Sequence, residues 1–390
     1  MKLLYVHFLY GEDTALNHVR QFSEAARALG HKVDVEALNF ANADGRGSSD
    51  EGPDLRAAVK KRLGRYLHEP KEILWNRRYA RRLGALLDEK APDVLLARDE
   101  VLNYSFAQAA SRRRVPLVVE VNAPAVESRL YLDQYWHVPL AANRIEAWKL
   151  RRADQVTVVS GALRDHLVSR HGLAADKFTV VPNGADVDVF HPEIEPAPEV
   201  AALEPGVVVG FVGSFQKWHG TEMLSTMAQS VGAEHEHARF LFVGDGPQLE
   251  PVRCQLEDLG PRVLLTGRRA HAEVPGLVAG FDIGVVAQAA FYMSPLKVLE
   301  WMAAGVAVVA PAYGPLQELI DDGVHGLLFE PDSVKALTNA VARLVADPEL
   351  RQRLGAAATA RVREELTWTD NARKVLGACD KALGLRGKAA

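Results

Sequence analysis

The sequence predicts two α/β domains in tandem, each a parallel sheet covered by helices. Three observations carry that prediction. Short apolar runs alternate with helix-period segments along the whole chain, the pattern of βαβ units and hence of parallel strands. The alternation stops and restarts once, after residue 205. Between the two series lies Phe190-His-Pro-Glu-Ile-Glu-Pro-Ala-Pro-Glu, whose Pro192, Pro196 and Pro198 read as a linker. A length of 390 residues suits the same division, since domains usually run to about 100–200 residues.

In the first series the strand candidates are 3–7, 33–35, 94–96, 117–121, 156–159 and 179–181. Helical segments at 14–29, 72–90, 101–113, 140–152 and 161–170 separate them, and Gly30 suits the position just past the first helix. In the second series the runs are 207–212, 240–243, 263–266, 283–286, 306–309 and 326–329. Helical patterns at 220–231, 247–259, 294–304, 333–346 and 348–365 fill the gaps. The expected domains are 1–190 and 196–365. Two doubly wound domains joined this way would face each other across a cleft, with ligands at the carboxyl ends of the strands.

Composition narrows the class. Hydrophobic content of 48% and charged content of 25% are ordinary globular values. No apolar run approaches the ~18 residues of a membrane span. The start, MKLLYVHFLYGED, reads as a first strand meeting a turn at Gly11, without the pattern of a secretory leader. Cys254 and Cys379 are too few for a disulfide framework or a zinc site, so a reducing, cytoplasmic setting is expected. Residues 1–190 carry 28 Lys and Arg against 25 Asp and Glu, whereas 191–390 carry 18 against 25, so the halves are read separately. The turn after the first strand, Tyr10-Gly-Glu-Asp, lacks G-x-G-x-x-G, which argues against a nicotinamide-dependent dehydrogenase.

The densest chemical signal is FDIGVVAQAAFYMSPLKVLEWMAAGVAVVAP, residues 281–311. A strand runs into a loop, and Ser294-Pro295 reads as N-cap and first residue of a helix. Free N–H groups and the positive dipole end at such a start suit a diphosphate. Lys297 in the first turn does not help the helix by itself and makes sense beside an anion. Glu300, about a turn on, is placed to accept two hydrogen bonds from a ribose diol. A plain amphipathic helix with surface Lys and Glu fits the same residues.

Six segments together resemble glycosyltransferase family 4, the large retaining family of GT-B architecture. They are Arg152-Ala-Asp154 with 156–160, VVPNGADVDVF (180–190), FVGSFQKWHG (211–220), FVGDGPQLE (242–250), VLLTGRRAHAEVP (263–275), and Phe281-Asp282 followed by Leu299-Glu300-Trp301-Met302-Ala303-Ala304-Gly305. The resemblance covers nearly the whole chain. It implies a GT-B fold, two Rossmann-like lobes facing across a cleft, with the last helix (369–383) crossing back to the first lobe. It also implies a donor site in 196–365.

Glu300 matches the ribose-binding second Glu of the family's E-x7-E motif, while Tyr292 stands where the first belongs. The segment Ser294-Pro295-Leu296-Lys297 resembles a subgroup with S-P-L-K-x-x-E. Ser214 and His219 occupy the positions of the family's diphosphate-binding Arg and Lys, and Lys217 is the expected substitute. Gly213 and Gly244 each stand at the end of a strand, where glycine permits close backbone approach to a ligand or merely a tight turn. The backbone after Gly267, at Arg268 and Arg269, borders the nucleobase; their side chains are equally well ordinary surface arginines.

On the acceptor side the resemblance points to Gly11, to Asn122 where the family often has His, and to Glu120 and Glu127. Capping or ion pairing serves those last residues equally well. The activity implied is metal-independent, retaining transfer of a sugar from a nucleoside diphosphate donor, uridine ahead of guanosine, to a glycan, glycolipid or small-molecule acceptor. No cofactor is expected besides that donor. A leaving phosphate oxygen would take the acceptor's proton, with Lys217, Lys297 and the helix start stabilising the diphosphate. Asp186-Val-Asp188 belongs to the 180–190 segment and is not a metal motif. A sugar-nucleotide epimerase and a non-catalytic nucleotide-sugar-binding protein are the rival readings.

Residues 56–82 hold ten Lys and Arg against Glu69 and Glu72, interleaved with Trp75 and aliphatics. Such a segment suits an anionic bilayer, with peripheral placement at the inner membrane face. An acidic acceptor or a solvated helix face suits it too, and no nucleic acid is expected.

Overall fold

A computed structural model describes the backbone of residues 1–9, 14–38, 55–131, 139–203 and 205–387; side chains at 14, 15, 55–69, 129–131, 139, 202 and 387 lie outside that description. It contains two six-stranded sheets. The first runs through β1 (Lys2–His7), α1 (Thr14–Ala28), β2 (Lys32–Ala37), α2 (Leu55–Lys90), β3 (Val94–Arg98), α3 (Ser105–Arg113), β4 (Leu117–Val121), α4 (Ala125–Tyr131), α5 (Pro139–Arg152), β5 (Gln155–Val158), α6 (Gly161–His171) and β6 (Phe178–Val180). Its strand order is β2-β1-β3-β4-β5-β6, and every neighbouring pair is parallel.

The second continues through β7 (Val207–Val212), α7 (Thr221–Glu234), β8 (Ala238–Val243), α8 (Leu249–Gln255), β9 (Val263–Leu265), α9 (Val274–Val278), β10 (Ile283–Val285), α10 (Leu296–Ala303), β11 (Ala307–Pro311), α11 (Gly314–Leu319), β12 (Gly326–Phe329), α12 (Val334–Ala346) and α13 (Pro348–Glu365), before α14 (Trp368–Gly387). The order here is β12-β11-β10-β7-β8-β9, again all parallel. Chain order reverses between β7 and β10, which are hydrogen-bonded neighbours. In an open parallel sheet that reversal is where a crevice forms at the strands' carboxyl ends.

Most strands are apolar because both faces are covered, whereas the edge strand β2, KVDVEA, is only partly buried. Leu3, Leu4, Val94–Ala97, Val209, Phe211, Phe240 and Phe242 are all fully buried. Two cores flank the second sheet. One holds Phe211, Met227, Phe240 and Val341 of α12; the other holds Leu241, Val308 and the α10 residues Leu299, Trp301 and Met302.

The two compact units are 1–159 with 163–181 and 372–390, and 160–162 with 182–371. The division between the compact units falls at Val181/Pro182, ahead of the proline-rich stretch 190–199. The reason is packing: Ala185 donates its N–H to the Leu366 carbonyl at 2.9 Å, and Phe190 is buried in the second unit's core. Residues 372–382 of α14 supply Ala372, Val375, Leu376, Cys379 and Ala382 to the core of the first unit, against Leu3, Tyr5, Val19 and Phe22.

Three helix starts also differ from expectation. α10 begins at Leu296, with Pro295 in extended backbone (ψ 122°) as the cap, so Ser294 does not cap the helix with its side chain. α2 begins at 55 and passes through Pro70, whereas the sequence places its start at 72, beyond the proline. α3 begins at Ser105 because Asn103 Oδ1 takes both the Ser105 N–H (2.9 Å) and its hydroxyl (2.6 Å).

Trp301 explains two strand glycines. A Cβ on Gly284 would lie 2.6 Å from the Trp301 ring, and one on Gly210 would overlap Phe281, which meets Trp301 edge-on at 6.2 Å. Trp301→Ala is expected to cost about 3–5 kcal/mol by leaving a cavity. Gly284→Ala is expected to cost about 1–3 kcal/mol by overpacking. Gly377→Ala, on α14 with open space around the added methyl, is expected to be neutral or stabilising by up to about 1 kcal/mol. Urea denaturation midpoints check all three.

Candidate functional site

The reversal between β7 and β10 gathers the second unit's chemistry. Lys297, in the first turn of α10, is half-buried, and its Nζ donates to the Val212 carbonyl at 3.1 Å, the last residue of β7. The ammonium also lies over the Phe211 ring at 4.7 Å. A Cβ on Gly213 would be 3.3 Å from that Nζ and 3.3 Å from His219 Cε1, so Gly213 leaves the space beside both groups. Burial pulls the Lys297 pKa down to about 8, opposed by the Glu300 carboxylate. Burial pushes Glu300 up to about 7, opposed in turn by Lys297. Among the described residues no side chain hydrogen-bonds the Glu300 carboxylate. Among the early N–H groups of α10 that of Val298 meets the Pro295 carbonyl at 3.2 Å; the Leu296 and Lys297 N–H groups precede the first intrahelical bond, and the positive end of the helix dipole lies there.

Backbone approaches closely along the same edge. Gly244 has φ 130°, and a Cβ there would overlap the Gly213 carbonyl. Its N–H meets the Gly267 carbonyl at 3.0 Å, while the Gly213 N–H meets the Val243 carbonyl at 3.0 Å. The expected glycines of three strands thus stand side by side. Glycine is required at 244 for conformation and for space.

Other expected donor residues are placed less uniformly. Ser214 is exposed, and its carbonyl takes the Nδ1 proton of His219, leaving His219 Nε2 as an acceptor. Burial first, then the Lys297 charge, lowers His219 to about 4, against the pull of the Ser214 carbonyl. The residue at the family's Lys position is therefore a neutral ring in the ligand-free protein. Lys217 is exposed on a 3-10 turn, Lys217–His219, and makes no ion pair among the described residues. Gly220 packs that turn against Gln288 in the loop after β10. Tyr292 is buried, edge-on to Phe291 at 5.2 Å. Ser294 is buried, with its Oγ lacking a partner among the described residues. Arg268 is exposed, whereas Arg269 is committed to Glu199 (3.0 Å) and Glu273 (3.4 Å).

In the first unit, Glu120 is the penultimate residue of β4, and both its carboxylate oxygens are bonded by protein groups. Tyr5 donates its hydroxyl at 2.6 Å, Arg98 an Nη1 proton at 2.5 Å and Asn122 its amide at 2.6 Å. Burial alone would raise the Glu120 pKa, but His18, Arg98, Tyr5 and Asn122 together hold it below its usual value. His18 sits 3.7 Å from the carboxylate and is pulled down to about 4, chiefly by burial. Glu120 therefore orients Arg98 and Asn122. Glu127 is likewise paired, with Arg170 at 2.7 Å and His166 at 3.4 Å. Gly11 lies outside the described residues. Sequence reasoning missed Arg98, His18 and Tyr5; the available signal was a charge, Arg98, directly at the end of an apolar run.

Among the described residues no group of three or more His, Cys, Asp and Glu stands placed to hold a metal ion, and no helix is long and apolar enough to cross a membrane.

Comparison with known proteins bears on this arrangement. The family described as Glycosyltransferase Family 4 matches residues 15–189, and that described as Glycosyl transferases group 1 matches 206–347. The chain is 30% identical over 228 residues to a 2-deoxystreptamine glucosyltransferase of Streptomyces kanamyceticus, covering 56% of this chain and 57% of that protein. It is 29% identical over 257 residues to a D-inositol 3-phosphate glycosyltransferase of Corynebacterium glutamicum, covering 62% and 61%. These alignments span about three fifths of the curated relatives' length. HepE of Anabaena, solved in complex with UDP, superposes with a TM-score of 0.73 at 18% identity, covering 97% of this chain and 100% of that one; at this identity the likeness is one of fold. With a GT-B fold and both halves matched in order, the chain belongs to glycosyltransferase family 4.

Proposed function

We propose that this chain transfers a glycosyl group from a nucleoside diphosphate sugar to a glycan, glycolipid or small-molecule acceptor, with retention and without a metal ion. The observation that carries the reading is the Lys297–Glu300 pair at the start of α10, beside the glycine edge of β7. Lys297 and the helix N–H groups meet the diphosphate, and Glu300 meets the ribose. UDP is preferred to GDP, a reading supported by the shared fold of HepE, which binds UDP. Lys217, exposed on the 3-10 turn after β7, is the second cation assigned to the leaving group in this reading. Asn122, held by Glu120, faces the acceptor side, and the departing phosphate oxygen takes the acceptor's proton. The placement is cytoplasmic.

Two measurements separate this from the rival readings. Incubation with donor alone is expected to release free sugar slowly, and added EDTA to leave turnover intact. Absence of both hydrolysis and transfer would favour a binding protein; a donor epimer as product would favour an epimerase; strict dependence on added metal would refute the metal-free reading.

Donor binding is expected to depend on pH in two limbs. Ribose binding uses ionised Glu300, so affinity rises with pH up to about 7 and is lost below it. Diphosphate binding uses charged Lys297, so affinity falls again above about 8. Calorimetry should give a bell for the nucleoside diphosphate and only the lower limb for the nucleoside. Glu300→Gln should remove the lower limb and weaken both ligands by about 1–3 kcal/mol. Lys297→Ala should remove the upper limb and weaken the diphosphate selectively; equal losses for both ligands would count against the assignment.

A peripheral membrane contact is proposed for the basic segment. Arg77, Arg78, Arg81 and Arg82 are exposed on α2, Leu74 is 69% exposed beside them, and Lys71 lies over Trp75 at 4.7 Å. Side chains at 56–69 lie outside the described residues. Each basic residue near an anionic surface contributes about 1 kcal/mol, screened by salt. Co-sedimentation with anionic vesicles is expected at low salt, lost at high salt, and abolished by reversing those four arginines to Glu. A protein that ignores anionic vesicles at low salt would leave a solvated helix face as the better reading.

A further inference from the structure

The start of α10 is held by a distant partner. Asn183 Nδ2 donates to the Ser294 carbonyl at 2.7 Å, across 111 residues of sequence. Among the described residues no other side chain hydrogen-bonds the backbone of 294–296. The Pro295 carbonyl takes the Val298 N–H at 3.2 Å, but Pro295 has no N–H of its own and neither it nor Ser294 caps the helix with a side chain. Asn183 is itself held firmly. The Pro182 carbonyl before it takes the Asn371 amide at 2.7 Å, and the Ala185 N–H after it meets the Leu366 carbonyl at 2.9 Å. A Cβ on Gly184 would lie 2.5 Å from the Trp368 nitrogen, so this segment is wedged against 366–368.

Two further atoms at the junction lack a protein partner among the described residues: Asn183 Oδ1 and Ser294 Oγ, both buried. One is an acceptor and the other also a donor. Their hydrogen-bonding capacity is unused, directly before the helix start that carries Lys297.

We propose that Asn183 is a positioning residue for diphosphate binding: it fixes the start of α10, and with it the helix N–H groups and Lys297, at the distance from β7 that a diphosphate requires. The inference rests on the reading of that helix start as the diphosphate subsite. Asn183 acts through the Ser294 carbonyl, and its loss frees the helix start while leaving Glu300, a turn further on, anchored by its buried neighbours Leu299 and Trp301.

The test compares UDP with uridine, and GDP with guanosine, on the intact protein. Asn183→Ala should weaken the preferred nucleoside diphosphate about three- to tenfold, the worth of one hydrogen bond, and the matching nucleoside less than about twofold. The KM for donor should rise by the same factor, with a smaller change in kcat. Hydrogen exchange at 294–298 should quicken relative to the rest of α10. Asn183→Ser, which leaves a hydroxyl and room for a bridging water, should retain an intermediate ratio and serves where the alanine variant does not fold. A lower unfolding midpoint with an unchanged diphosphate-to-nucleoside ratio in the folded variants would show a merely structural role and overturn the inference alone. A wild-type protein that binds neither diphosphate better than its nucleoside would overturn the reading of the site and this inference with it.

Discussion

A sheet whose strands are all parallel delivers every carboxyl end to one edge, and most of what is functional here follows from that constraint. Each strand must be returned by a helix, so each sheet is clothed on both faces and its inner strands are largely apolar. The polar residues that remain are displaced to the strand ends. In the second unit Gly213, Gly244 and Gly267 are set side by side there, with Lys297 reaching back to the last carbonyl of β7. In the first unit Arg98 and Glu120 stand at the ends of adjacent strands, joined by an ion pair.

The two edges differ in how their charges are satisfied. Glu120 is enclosed by donors, and its ionised form is stabilised despite burial. Lys297 and Glu300 are not: each is shifted towards its neutral form by burial, and the neighbour offsets only part of that. Charges held this way are stabilised by a ligand that supplies the missing partner. That contrast in how the charge is satisfied is what separates Glu120 from the Lys297–Glu300 pair and supports the proposed donor role of the pair.

The strands were legible in the sequence because burial on both faces leaves continuous apolar runs, and the restart after 205 marked the second sheet. The position of Lys297 in the first turn of α10, with Glu300 a turn on, was legible from the strand-loop-helix pattern of 281–311. What escaped was set by geometry between distant residues. Nothing near Glu120 in sequence announces that Tyr5 and Arg98 occupy its oxygens, and Asn183 lies 111 residues from the carbonyl it binds. The start of α10 falls later than expected because Ser-Pro also fits extended backbone, which Pro295 adopts. Pro70 misleads in the opposite sense, since a residue that ordinarily stops a helix lies within one of 36 residues.

The path of α14 has a consequence for how the protein is made. Its residues Val375, Leu376, Cys379 and Ala382 complete the core formed by Leu3, Tyr5, Val19 and Phe22. A ribosome releases those first strands long before it makes the helix that covers them. The first unit therefore has an uncovered face on its sheet throughout synthesis of the second, and an apolar face left open for that interval is a place for chaperones to bind or for nascent chains to associate. The second unit has no such delay, because nearly all of it comes from one continuous stretch of chain. Co-translational folding should proceed out of order here, with the later-made unit closing first and the earlier-made one last.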